Sequence, residues 1–302
     1  MKAWDRWCSR WILALMVAAA MVGHSGVALA QTDAAAALRG QHTEMASQLR
    51  ASPLGRPLVL ASTQQADHLR SEIHVVLPYS LAQLRSGLER PENWCDMLLL
   101  NIKTIGCVWE ARTTGTRLRL HIGRTGAEDL ANSIPVDFAY QVHVAGDHYL
   151  DMGLEAKTGP SGTRDYQFRI EAIDLPDGRS FVHLTYAYAF NAMARLAMQA
   201  YLATLGQNKV GFTREADALA GRDGFIGGLR GLVERNAMRY FLAIDAYLKA
   251  QGAGTPATQR EQRLLHWFYG AESFARQLHE VDRATYLAIK HAQLRRQQKL
   301  PD

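Results

Sequence analysis

Residues 136–190 read VDFAYQVHVAGDHYLDMGLEAKTGPSGTRDYQFRIEAIDLPDGRSFVHLTYAYAF, and this stretch decides the fold. Val136, Phe138, Tyr140, Val142 and Val144 recur at every second position. Ala145-Gly146-Asp147 then turns the chain, and Leu150, Met152 and Leu154 alternate on the return. After the Thr158 to Gly162 turn the pattern repeats with Tyr166, Phe168 and Ile170, a Pro176-Asp177-Gly178 turn, and Val182, Leu184, Tyr186, Tyr188 and Phe190. A period of two over such lengths belongs to strands, and one apolar face per strand predicts an antiparallel sheet covered on one side.

Working outward, Ile73, Val75 and Leu77 alternate as a first strand ended by Pro78. Ser80 is placed to cap a helix through Leu84 and Leu88, and a second short helix holds Trp94 and Met97. Ile102 to Ala111 and Arg117 to Gly123, with Gly115 between, read as a hairpin. The count is about seven strands. Downstream, Ala192 to Leu205 is helical, Lys209 to Arg214 extended, and Gly221 to Gly231 loop-like. The long helix Leu229 to Leu248 gathers Leu229, Val233, Asn236, Tyr240, Ile244 and Tyr247 on one face, with Arg230, Glu234, Arg235 and Arg239 opposite. Two further amphipathic helices fill Gln259 to Leu294. The fold class is therefore α+β: a curved antiparallel sheet gripping a long C-terminal helix, with extra helices at both ends.

The first thirty residues carry Lys2, Arg6 and Arg10, an apolar run from Trp11 to Val22, and Ala28-Leu29-Ala30, which is the form of a secretory signal peptide. Its apolar run is shorter than the roughly 20 residues a spanning helix needs. Residues 1–30 are read as that leader, 31–70 as a helix and extended link, 71–250 as the sheet-and-helix domain, and 251–302 as a helical extension. A periplasmic or secreted location follows. Export leaves Cys95 and Cys107, whose expected state outside the cytosol is a disulfide.

Of the formal charge of +5, the leader holds Lys2, Arg6 and Arg10 against Asp5, so +3 remains, too little to argue for nucleic acid. The basic stretch Lys290 to Lys299 permits a transient contact with an anionic membrane surface. A nucleophile elbow, a zinc motif, a phosphate loop and a dinucleotide fingerprint are all missing from the sequence, so no catalytic residue, metal or cofactor is assigned. Asn236 inside the apolar helix stripe must find hydrogen-bond partners or a ligand, because an unmade buried bond costs about 1–3 kcal/mol. Tyr186 and Tyr188, with Phe138 and Tyr140, face the same helix and bring polar hydroxyls into an apolar wall.

The order strand, two short helices, antiparallel strands and a long closing helix, with Pro91-Glu92-Asn93-Trp94 between the short helices, resembles the helix-grip architecture of the START-like and polyketide-cyclase superfamily over about Ser71 to Ala250. The segment from Ala192 to Gly231 departs from that pattern. The resemblance implies a cavity between sheet and helix that holds an apolar small molecule or lipid. With it, Phe138, Tyr140, Tyr186, Tyr188, Asn236 and Tyr240 become the candidate ligand-binding residues. Two other readings stay open: an envelope scaffold with a filled core, and a cyclase- or hydrolase-type enzyme using Asn236 or His183.

Overall fold

The computed structural model describes residues 33–204, 206–215 and 224–298; the expected leader, 1–30, lies outside them. The chain divides into two units, Met1–Ala46 and Ser47–Asp302. In the first, residues 33–44 form helix α1; the short α2 (Ala46–Arg50) follows Met45 and belongs to the second from Ser47 on. The second unit carries the sheet. No helix among the described residues is long and apolar enough to cross a membrane.

Eight antiparallel strands form one open sheet in the order β1-β2-β8-β7-β6-β5-β4-β3. They are β1 (Leu58–Gln65), β2 (His68–Leu77), β3 (Thr104–Arg112), β4 (Gly115–Ile122), β5 (Ile134–Ala145), β6 (Tyr149–Thr158), β7 (Thr163–Asp174) and β8 (Ser180–Phe190). The eighth strand beyond the expected seven is β1, read in sequence as an extended link. Its LVLASTQQ does not alternate cleanly, yet it pairs with β2 along its whole length as a hairpin. The β7–β8 turn is as the sequence predicts: Gly178 adopts φ +80°, open to glycine without strain.

Register sets the inner face. Tyr186 pairs with Phe168, Phe168 with Leu154, and Leu154 with Tyr140, so these four cross the sheet in one row on one side. His183, one residue off that parity, points to the outer face, where it stacks on His74 at 4.2 Å and lies between Glu72 (3.2 Å) and Glu171 (3.5 Å).

Helix α3 (Leu81–Leu88) starts at a capping box between Ser80 and Gln83, and α4 (Pro91–Leu98) starts with proline in its first turn. The carbonyl of Leu88, left without a helical partner, receives the indole N–H of Trp94 at 2.8 Å and the hydroxyl of Tyr140 at 3.0 Å. Cys95 on α4 is bonded to Cys107 on β3, with a Cα–Cα distance of 5.3 Å.

The long helix α6 (Gly228–Lys249) follows α5 (Ala192–Ala203) and lies against β1, β2 and β8. Its charged side is buried too. Glu234, Arg235 and Arg239, which the sequence places opposite the apolar stripe, are 0, 1 and 8% exposed. Residues 210–213 and helix α7 (Pro256–Glu272) cover that side. Glu234 accepts four hydrogen bonds, from Ser62 Oγ, the Phe212 and Thr213 amides and Thr213 Oγ1, at 2.6 to 3.0 Å. The close approach requires Gly211, where a Cβ would stand 2.4 Å from Glu234 Oε2. Gly231, expected in a flexible loop, belongs to α6 and packs on Gly211.

The extension ends in α8 (Ala275–Leu278) and α9 (Arg283–Gln297). Lys290, read in sequence as part of a solvated basic tail, is fully buried and donates to the carbonyls of Asn101 (2.8 Å) and Thr104 (3.3 Å). Arg296 donates to the Glu128 carbonyl, and the Gln297 amide accepts from the Cys107 N–H at 2.9 Å while donating to the Cys107 carbonyl. Lys290 and Arg296 of the basic stretch thus tie α9 to the start of β3 and to the segment around Glu128.

Candidate functional site

Helix α6 covers the β1, β2 and β8 side of the sheet, which leaves a gap toward β4 and β5. A cavity of about 280 Å³ fills that gap. Its sheet wall is made by Leu120 and Ile122 of β4, Val136 and Phe138 of β5, Tyr166 of β7 and Tyr186 of β8. Leu232, Asn236, Arg239 and Tyr240 of α6 face them, and Tyr201 of α5 closes one side. Lys103 and Glu280, both exposed, stand at the rim.

The floor is an aromatic cluster. Tyr166 stacks on Tyr188 at 5.2 Å, Tyr186 meets Tyr240 at 5.2 Å, and Phe138 meets Tyr166 edge-on at 6.2 Å. The Tyr166 hydroxyl donates to Thr163 Oγ1 at 2.8 Å. Burial pushes the Tyr186 and Tyr240 hydroxyls up from the usual phenol value, and that of Tyr166 up to about 12. They are therefore neutral groups, suited to orienting a guest and not to taking a proton at neutral pH.

Four of the six residues expected from sequence line this cavity: Phe138, Tyr186, Asn236 and Tyr240. Two do not. Tyr140 spends its hydroxyl on Leu88 at the end of α3, and Tyr188 sits behind Tyr166 with its hydroxyl 3.8 Å from Met198 Sδ. Asn236, expected to bond a strand carbonyl or to meet a ligand, instead accepts from Arg239 Nη1 at 3.4 Å and faces the cavity. His183 is on the other side of the sheet from Asn236, so the two do not converge.

Sequence reasoning passed over Tyr166, Tyr201, Arg239 and Glu280. Tyr166 shared the stripe of Phe168 and Ile170 and was within reach of the same argument. Arg239 was not, because its burial depends on Trp267 of α7, which donates to the Arg239 carbonyl at 3.3 Å, and on Glu280, which pairs with its guanidinium at 2.7 Å. Glu280 falls within Gln259 to Leu294, which the sequence predicts as two amphipathic helices, but lies in the link between α8 and α9.

A larger cleft of about 720 Å³ lies on the opposite side of α6, bordered by residues 53–56 and α7. It is crossed by the Arg56–Asp245 ion pair at 2.9 Å and is not enclosed by the sheet. On the sheet's outer face a hollow of about 480 Å³ is lined by charges that already pair, Arg169 with Asp151 and Glu171 among them. The cleft has aromatic residues of its own, Phe212, Phe225, Tyr269 and Phe274, but none comes from the sheet, and the hollow has only Phe168.

No known family profile matches the chain, and no curated protein does. Among solved structures it is similar to a START superfamily protein from Mycobacterium smegmatis, at 14% identity over 46% of this chain and 92% of that one, with a TM-score of 0.31. It is also similar to Ara h 8.0201, at 12% identity over 64% of this chain and all of that one, TM-score 0.35. A third is norcoclaurine synthase from Thalictrum flavum in complex with dopamine and hydroxybenzaldehyde, at 10% identity over 49% and 82%, TM-score 0.31. The likeness is weak; strand order and helix placement carry the architecture by themselves.

Proposed function

We propose that this protein is an exported binder or carrier of a small apolar molecule held between the sheet and α6. The observation that carries the proposal is the 280 Å³ cavity with its floor of Phe138, Tyr166, Tyr186 and Tyr240. At roughly 30 Å³ per water it has the volume of about nine waters. Most small-molecule sites span about 300–1,000 Å³, so this one suits a fused ring pair or a short acyl chain and is too small for a whole diacyl lipid. Export is supported by the charged and apolar leader and by the Cys95–Cys107 bond, which belongs to an oxidising compartment. Lys290 is buried and Arg296 bonds the Glu128 carbonyl, so the proposal does not rely on membrane contact.

The test is native mass spectrometry of protein taken from its exported compartment, beside the cavity-filling variant Leu232→Trp. Calorimetric titration with the uncharged probe 2-naphthalenemethanol accompanies both. A small-molecule adduct and probe binding in the wild type, both lost in Leu232→Trp, are expected. A bare mass together with no probe uptake overturns the reading, as does binding that the indole leaves unchanged.

A further inference from the structure

Arg239 is the unusual member of the cavity wall. It is 8% exposed, and its Nε has no hydrogen-bond partner among the described residues. One turn earlier, Arg235 is 1% exposed, donates to the Val210 carbonyl at 3.3 Å, and has an unpartnered Nη2. Two like charges on successive turns of a buried helix repel each other and give up much of their hydration, a combination that persists only where negative charge offsets it. Glu234, next to Arg235 in sequence, offsets part of that charge, but its hydrogen bonds come from Ser62, Phe212 and Thr213 and none from Arg239.

That leaves Glu280, exposed, bound to Arg239 through one carboxylate oxygen at 2.7 Å. Lys209 adds a further positive charge, which feels Arg235 and Arg239 as like charges and Glu280 and Glu272 as opposite ones. At the cavity rim Lys103 lies over the Tyr201 ring, its Nζ 5.9 Å from the centroid. Of the charged groups lining the cavity, then, Lys103 and Arg239 are positive and Glu280 alone is negative. The apolar floor and the positive end lie within one small space.

We infer that the guest of this cavity is amphipathic, an apolar ring or short chain ending in a carboxylate or similar anion, with the apolar part on the tyrosine floor and the anionic end on Arg239, assisted by Lys103. This rests on the binder reading and specifies its ligand class. A guanidinium with an unpartnered Nε–H, and with Nη2 held only by an exposed carboxylate, is suited to a carboxylate guest, and a buried, charge-assisted bond to it is among the stronger single contacts available. Glu280 acts as the stand-in anion that the guest competes with.

The test compares 2-naphthoate with 2-naphthalenemethanol, which share the ring system and differ in charge, by calorimetric titration at neutral pH. Wild-type protein is expected to prefer the carboxylate by about tenfold or more, the scale of one charge-assisted bond. Arg239→Met loses that preference while retaining the alcohol within about threefold. Glu280→Gln, a change at an exposed position that leaves the core intact, tightens naphthoate severalfold by removing the competitor and leaves the alcohol unmoved, an effect a purely structural Arg239–Glu280 pair would not give. Equal wild-type affinity for the two probes, or a preference for naphthoate that persists in folded Arg239→Met, overturns the anion inference and leaves the binder reading standing. Failure of both probes overturns the binder reading itself.

Discussion

Replacing Glu234 by alanine is expected to destabilise the fold by about 4 kcal/mol. The carboxylate is fully buried and accepts from Ser62 Oγ and the Phe212 amide at 2.6 Å, Thr213 Oγ1 at 2.7 Å and the Thr213 amide at 3.0 Å. Alanine leaves two backbone N–H groups without an acceptor, at about 1–3 kcal/mol each, while the two hydroxyls can turn elsewhere. The void left by the side chain adds about 1 kcal/mol, which places the sum near the ~3–5 kcal/mol seen when one member of a buried charged network is removed. Glu234→Gln keeps the size and one carbonyl oxygen for the two amides, and its NH2 group can donate to hydroxyls that rotate to accept. Only the charge assistance is lost, for about 1–2 kcal/mol. Urea unfolding at fixed pH, followed by both circular dichroism and tryptophan fluorescence, measures both values. An alanine variant within about 1 kcal/mol of wild type, or a glutamine variant as unstable as the alanine one, refutes the reasoning.

Three further predictions follow from separate parts of the fold. Burial disfavours a charged ring at His183, but Glu171 and Glu72 outweigh it and hold its pKa above the ordinary value; the stability this contributes is complete below about pH 6.5 and is lost as pH rises through the folded value. Glu72 and Glu171 are held down to about 2, so their contribution is lost as pH falls from about 4.5 toward 2, and His74, lowered to about 4 by burial and by His183, adds to the acid loss between about 6.5 and 4. Melting curves from pH 5 to 9 should show His183→Gln with a weaker alkaline decline than wild type, and an unchanged slope would count against the cluster. Removing the Cys95–Cys107 crosslink with paired serines, which opens a loop of sequence separation 12, is expected to cost about 3 kcal/mol in chemical denaturation, and a loss under 1 kcal/mol would contradict that. Tyr186→Phe removes a buried hydroxyl from the cavity floor beside Tyr240 and should change stability by about 1 kcal/mol while weakening 2-naphthalenemethanol by less than threefold; abolished binding would mean that this hydroxyl, and not the ring, holds the guest.

The sheet was legible because bulky apolar residues fill every second position with smaller or polar ones between, so the period of two survives in Val136 to Phe190 even where β8 is buried on both faces. Strand β1 was not, since its alternation is broken at Ser62 to Gln65 and its identity comes from pairing with β2. The helix stripe told which side of α6 meets the sheet, but a helical wheel has no means of showing that residues 210–213 and α7 would bury the other side. Glu234, Arg235 and Arg239 therefore looked like surface charges. The aromatic part of the cavity wall followed from strand parity, with Tyr140 and Tyr188 misplaced because parity gives a face and not a depth along it. Lys290 illustrates the same limit from the other direction: a basic residue among basic neighbours reads as solvated until the carbonyls of Asn101 and Thr104 are brought to it by the fold.

The hold of Gln297 on Cys107 bears on how the molecule behaves at high concentration. An open sheet ends in two strands whose outward amides and carbonyls can recruit a strand from another copy, the first step of fibre growth. By meeting both the N–H and the C=O of Cys107, the Gln297 side chain imitates one residue of a ninth strand and occupies the place where a neighbour would begin to zip. The last turn of α9 thus covers the β3 edge at Cys107. Loss of that turn by proteolysis would leave the binding cavity largely intact while making the protein self-associate through β3.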